Sequence, residues 1–191
     1  MAKRVFFSFH YQDVSDFRAN VVRNHGSFKL TSQDAGFFDS SMWEEARKKS
    51  NLALKRLINN GLNNTSNTCV LVGTETYKRP WVRYELLKSY VKGNHILAVH
   101  INGIKDKYEK SKNLGKNPLD YVGIYPIDEN RIKLIEKKDK WIYYNKIEST
   151  DTFIFKNHGL TLKKIYPLST MYKIHKWNSD KGYNNFSTWL K

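Results

Sequence analysis

Apolar residues fall in short dense runs along the chain, and the stretches between them repeat at helical rather than strand spacing. Residues 4–9 are a mostly apolar, aromatic-rich run of strand length. Asp13 can cap a helix that runs to about Asn24, with Val14, Phe17, Val21 and Val22 as its apolar stripe and His25-Gly26 as its stop. A polar stretch over 31–34 leads to a short second strand at 35–38. Ser41-Met42-Trp43-Glu44 has the Ser-x-x-Glu form of a capping box. The helix it opens carries Trp43, Ala46, Ser50, Leu54, Leu57 and Ile58 at helical spacing and ends near Gly61. Residues 68–73 form the near-continuous apolar run of a central parallel strand. Pro80 suits the first turn of a helix that extends to Lys92 and stops at Gly93. Residues 95–101 read as a fourth strand.

Strand and helix thus alternate three times within about the first hundred residues. That pattern predicts an α/β fold, a doubly wound, mostly parallel sheet with helices on both faces. Ligands of such sheets bind outside the carboxyl ends of the strands. Here those ends are residues 8–11, 39–41, 73–77 and 100–103. Beyond Gly103 the pattern weakens. Residues 105–116 are a Lys-rich loop, 131–136 and 140–144 suit a hairpin, 168–177 suit a last helix, and 186–190 a docked tail. The expected organisation is a core over 1–103 and a C-terminal extension, 104–191, packed on the same domain.

Composition narrows the classes. A chain of 191 residues, 40% hydrophobic and 27% charged, can bury a core and should be globular. No apolar run approaches the roughly 20 residues needed to cross a bilayer, and the apolar start is too short for a secretory signal. Cys69 is the single cysteine. No intrachain disulfide can form, which fits a cytoplasmic protein, and Cys69 reads as a small buried hydrophobe. The net charge is +15. Residues 1–102 hold 15 basic and 8 acidic side chains, and residues 103–191 hold 18 and 10. The charge is spread evenly, so a generally basic surface is expected rather than a nucleic-acid-binding face or a membrane anchor.

Several chemistries are absent from the sequence. It has no Gly-x-Gly-x-x-Gly, no P-loop and no Gly-x-Ser-x-Gly elbow. Its six histidines show no metal-ligand spacing, so no metal site is expected. A receiver-type phosphoacceptor is a poor fit, because the first strand exits on Ser8-Phe9-His10 and the third on Gly73, not on carboxylates. What stands out is Trp81-Val82-Arg83-Tyr84-Glu85-Leu86. Helical spacing places Trp81 and Glu85 on one face about a turn apart. A carboxylate with an aromatic neighbour, at the crevice of an α/β sheet, suits a ribose-bearing cation. The other readings are a solvated first-turn carboxylate favoured by the helix dipole, and a tryptophan that packs the helix start onto the sheet.

Val5-Phe6-Phe7-Ser8-Phe9-His10, together with Trp81-Val82-Arg83-Tyr84-Glu85-Leu86, resembles TIR domains. These open with an apolar-apolar-Ser-aromatic strand and carry Trp-x-x-x-Glu-Leu on the helix after their third strand. Order and spacing agree over about residues 3–101. Ala35-Gly36-Phe37-Phe38-Asp39 and the stretch Gly182 to Trp189 extend the resemblance to the TIR proteins of bacterial Thoeris anti-phage systems. The resemblance implies a flavodoxin-like fold. It also implies an enzyme that cleaves NAD at the nicotinamide glycosidic bond and makes a cyclic ADP-ribose isomer, which then signals to a partner effector. A phage-derived trigger fits such a sensor. NAD is substrate here, and no cofactor is expected.

The family's catalytic glutamate falls on Glu85 and its tryptophan on Trp81. Ser8, Phe9 and His10 match the strand exit, with His10 standing where many TIR enzymes have arginine. Residue chemistry agrees. Cleavage creates an oxocarbenium-like centre that a fixed carboxylate can stabilise. Trp81 or Phe9 can stack on the flat nicotinamide cation. Asp39 can reach ribose or adenine, or serve a plain turn, and Tyr11 is a candidate from the exit loop. The alternatives are a non-catalytic TIR-type interaction module and a basic nucleic-acid-binding domain.

Overall fold

Three apolar runs pair as the centre of a parallel sheet: β1 (Val5–Phe9), β2 (Asn67–Val72) and β3 (His95–His100). The computed structural model describes residues 4–24, 40–147, 153–154 and 159–191. Within these, the sheet order is β1-β2-β3-β9, where β9 (Ile174–Lys176) adds in parallel to β3 through Ala98 opposite Ile174. Ser8 lies opposite Val70, and Val70 opposite Ala98. The expected strand at 35–38, the stop at His25-Gly26 and Asp39 lie outside the described residues.

Alternation along the strands divides the core into two layers. Phe6, Val70, Val72, Ile96 and Ala98 face α4 (Asn51–Asn63) and α5 (Pro80–Lys92). Val5, Phe7, Cys69, Leu71, Leu97 and Val99 pack in the other layer with Ala19 and Val22 of α2 (Arg18–Arg23) and Phe186 of α6 (Gly182–Trp189). The α/β class and the helices on both faces are thus as the periodicity predicts. Cys69 is fully buried, and burial pushes its thiol pKa up. No helix among the described residues is long and apolar enough to cross a membrane.

Two expected helices are each broken in two. The first becomes α1 (Tyr11–Ser15) and α2, with Phe17 between them in the left-handed region at φ 63°. The second becomes α3 (Ser40–Lys49) and α4, divided at Ser50. Ser50 is extended, and its hydroxyl accepts the Ala53 N–H at 3.0 Å. A small residue that could have sat inside a helix is used as an N-cap instead. α5 runs from Pro80 to Lys92 and ends on Gly93 at φ 83°, where lack of a Cβ makes the left-handed cap easy.

The C-terminal half builds a second, antiparallel sheet from β4 (Val122–Pro126), β5 (Arg131–Lys137), β6 (Trp141–Tyr143), β7 (Phe153–Ile154) and β8 (Tyr166–Pro167). Its order is β6-β5-β4-β8, with β7 also on β5, and the β5–β6 hairpin is the one the sequence predicts. Val122, Ile124, Ile132 and Leu134 join the core layer of α4 and α5. Residues 168–177 are not a helix. A 3-10 turn at Leu168–Thr170 is followed by β9, because the open edge of β3 offers a ladder that one turn of helix cannot match. The expected tail at 186–190 lies mostly within α6, with Phe186 fully buried.

Arg18 ties the 105–116 loop to the core. It is fully buried and donates from Nε to the Ile104 carbonyl at 2.8 Å and from Nη2 to the Lys110 carbonyl at 2.6 Å. Asp16 at 3.0 Å and Asp106 at 3.2 Å neutralise its charge. The same loop brings Gly115 against the Gly73 carbonyl at the end of β2. A Cβ on Gly115 would stand 2.0 Å from that oxygen.

Candidate active site

α5 delivers Glu85 to the sheet. Pro80 occupies the first turn, where its missing N–H costs no helical bond. Val82, Glu85, Leu86 and Ser89 lie buried along the helix. Ser89 anchors the helix below Glu85, accepting from Thr68 Oγ1 at 2.8 Å and donating to the Glu85 carbonyl at 2.6 Å. Asn94 extends this chain by donating to Thr68 Oγ1 at 3.1 Å.

The Glu85 carboxylate meets β1. Ser8, on the same strand face as Phe6, donates its hydroxyl to Glu85 Oε2 at 2.5 Å. Both residues are almost wholly buried, Ser8 at 1% and Glu85 at 3% exposure. Burial pushes the Glu85 pKa up to about 8, while the Ser8 bond pulls it down. A buried carboxylate that has, among the described residues, one neutral donor and no cation holding it is not a solvated first-turn acid. It can gain or lose a proton near neutrality, and in its ionised form it can hold a ribose hydroxyl or face a developing cation.

Trp81 is half-buried, packs on the core layer of α5, and meets Tyr84 edge-on at 5.7 Å between ring centres. Tyr84 donates its hydroxyl to Asn59 at 3.1 Å. The packing role weighed for Trp81 is therefore present, and its partial exposure leaves ring surface outside that packing. Arg83 turns to the second sheet, where it donates to Glu136 at 2.9 Å and to the Lys137 carbonyl at 3.0 Å.

The other strand-exit residues are distributed differently. Phe9 is partly buried against the layer of α2 and α6, the sheet face opposite Ser8. His10 is half-buried; burial lowers its pKa, and Arg79 and Lys112 lower it further. Glu75 opposes these cations at His10, and Lys112 is also paired with Asp16. Tyr11 is 51% exposed at the start of α1. Asp39 is outside the described residues. The structure therefore unites Ser8 with Glu85 and keeps Trp81 one turn away on the same helix.

Sequence reasoning took Asp13 as a helix cap. It lies inside α1 and is buried at 3% exposure, and burial raises its pKa to about 6. Thr76 accepts the Gly73 N–H at 2.9 Å and lies 3.5 Å from Asp13. A Cβ on Gly73 would run into the Asp13 carboxylate, so a larger residue there must displace that side chain. The signal available in sequence was an acid just past the first strand, in the same crevice as the end of β2.

The site is thus a strand-exit serine bonded to a buried glutamate on the helix after β2, in an α/β domain with a parallel sheet flanked by helices. The family profile described as Thoeris protein ThsB, TIR-like domain, matches residues 6–106. A protein of Bacillus cereus (strain MSX-D12) is 53% identical over 192 residues, with all of both chains covered, and carries the provisional name cyclic ADP-D-ribose synthase ThsB1. The chain belongs to the TIR-like domain family of Thoeris ThsB proteins.

Proposed function

We propose that the chain cleaves NAD at the bond between nicotinamide and ribose and closes the remaining ADP-ribose into a cyclic isomer, which carries a signal to an effector in anti-phage defence. The observation that carries this reading is Glu85, a buried carboxylate held by Ser8 and poised to ionise near neutral pH. The name of the Bacillus cereus relative, a cyclic ADP-D-ribose synthase, supports the same reaction.

The chemistry follows from the site. The glycosidic C–N bond breaks with its electron pair passing to the pyridinium nitrogen, and neutral nicotinamide leaves. The ribose C1′ becomes oxocarbenium-like, and ionised Glu85 stabilises it or holds the ribose hydroxyls. A hydroxyl or ring nitrogen of the adenosine half then bonds to C1′; a hydroxyl loses its proton as it does so. That outcome needs a folded substrate and a dry pocket, since water is the competing nucleophile. Burial of Ser8 and Glu85 supports the dry pocket, and the cations around His10 suit the pyrophosphate. Trp81 stacks on the nicotinamide ring, and Phe9, His10, Tyr11 and Asp39 are further contacts to test. NAD serves as substrate, in the cytoplasm, with a phage-derived trigger releasing activity.

The test compares wild type with Glu85→Gln in cells challenged with phage, following nicotinamide release and the cyclic product by mass spectrometry. Loss of about a hundredfold or more in product is expected. Full product from Glu85→Gln overturns the assignment.

A further inference from the structure

Tyr144, from the C-terminal half, packs in the same core layer as Tyr84 and Leu86, the α5 residues on either side of Glu85. Its backbone N–H donates to the Leu134 carbonyl at 2.9 Å, which fixes the residue on β5 just past the β5–β6 hairpin. The side chain is 7% exposed and belongs to the core layer that holds Val82, Tyr84 and Leu86. Its phenol oxygen is shut off from solvent and has no hydrogen-bond partner among the described residues. Glu136, Tyr84, Arg83 and Glu85 act on it electrostatically, with Lys146 Nζ lying 6.0 Å from its ring centre. Each of these four groups has another partner: Arg83 Nη1 donates to Glu136 and to the Lys137 carbonyl, the Tyr84 hydroxyl donates to Asn59, and Glu85 accepts from Ser8. Arg83 Nε is also buried without a partner. Two orphaned donors therefore sit on the side of α5 that faces the second sheet.

A buried hydroxyl with no partner is costly, and phenylalanine would fill the same space without that cost. A phenol at this position thus points to a partner that arrives later. Glu85 and the Tyr144 oxygen are both shut off from solvent in this structure.

We propose that Tyr144 is a substrate-binding residue, whose O–H donates to an acceptor oxygen on the nicotinamide–ribose half of NAD. The assignment to that half rests on the reading of Glu85 as the NAD site, since Tyr144 shares its core layer with the α5 residues that flank Glu85. The C-terminal half then completes a pocket whose carboxylate comes from the N-terminal half.

Tyr144→Phe tests this, because it removes one oxygen and keeps the ring. In phage-challenged cells carrying the full chain, the variant should yield about tenfold less cyclic product. NAD affinity of the purified full chain should weaken by a similar factor, with a melting temperature equal to wild type or higher. Product and affinity within twofold of wild type overturn the proposal. So does a loss of product accompanied by a matching fall in melting temperature, which marks a structural role. Glu85→Gln in the same assay separates the two readings. Full product from that variant overturns the enzymatic reading, whereas abolished product there with wild-type product from Tyr144→Phe overturns only the role of Tyr144.

Discussion

The Ser8 hydroxyl donates to the Glu85 carboxylate at 2.5 Å, joining residues 77 positions apart in sequence. Two opposing influences thereby act on one proton: burial holds it on Glu85, and the Ser8 donor favours its release. In the unfolded chain Glu85 titrates near 4.5, and in the fold near 8. The native state binds the proton more tightly, so wild-type stability falls as pH rises between those values and levels off above them. Glu85→Gln never ionises. The variant should match wild type in thermal stability near pH 4 and exceed it increasingly toward pH 8, by roughly 2–4 kcal/mol there, or about 5–10 °C. Melting curves across pH 4–9 check this, and a constant difference contradicts it.

Ser8→Ala removes the donor and leaves the burial. The Glu85 pKa should then rise further, because the bond that favours its ionised form is gone. If ionised Glu85 is the working form, activity climbs with pH, and the variant's climb should be displaced upward by about one pH unit. The pH profile of nicotinamide release reads this directly. An unshifted profile would separate Ser8 from the chemistry.

Arg18 holds four partners on the loop side of α2, two of them backbone carbonyls. Arg18→Ala should cost about 3 kcal/mol, since Asp16, Asp106 and both carbonyls lose a buried cation. Arg18→Lys cannot reproduce the fork geometry and should recover less than half of that. Denaturant unfolding gives the stability, and proteolysis within 105–116 should quicken in both variants.

Gly115 faces backbone, not a side chain that can swing aside. Gly115→Ala should destabilise by about 2 kcal/mol or more, as the loop is pushed off the end of β2. Unchanged unfolding would mean that the loop shifts without penalty.

The parts of the fold legible in sequence were those in which local pattern and tertiary need agree. β2 over 69–72 and β3 over 96–99 are apolar because both their faces are buried, and α5 carries its own start and stop in Pro80 and Gly93. Ser50 and Phe17 were not legible as breaks. Each suits a helix interior locally, and only packing decides that Ser50 caps and Phe17 turns left-handed. β9 was hidden for a related reason: Ile174-His175-Lys176 has no strand pattern of its own and is extended because β3 offers an edge. Within the site, Glu85 was visible beside Trp81, and its partner Ser8 was visible at a strand exit. Asp13, Arg83 with Glu136, and Tyr144 were not, because their surroundings come from distant segments that sequence spacing cannot bring together.

The pairing of β9 with β3 has a bearing on synthesis. Ser8, Glu85 and the first three strands leave the ribosome well before residues 174–176, so β3 waits with one side of its ladder unmatched. Over the same interval the layer that receives Trp177 and Phe186 is uncovered. Such a chain has a bare edge and a greasy face, the two features that drive association. A premature stop therefore yields material for chaperones and proteases rather than a loose fragment that drains the cell of NAD.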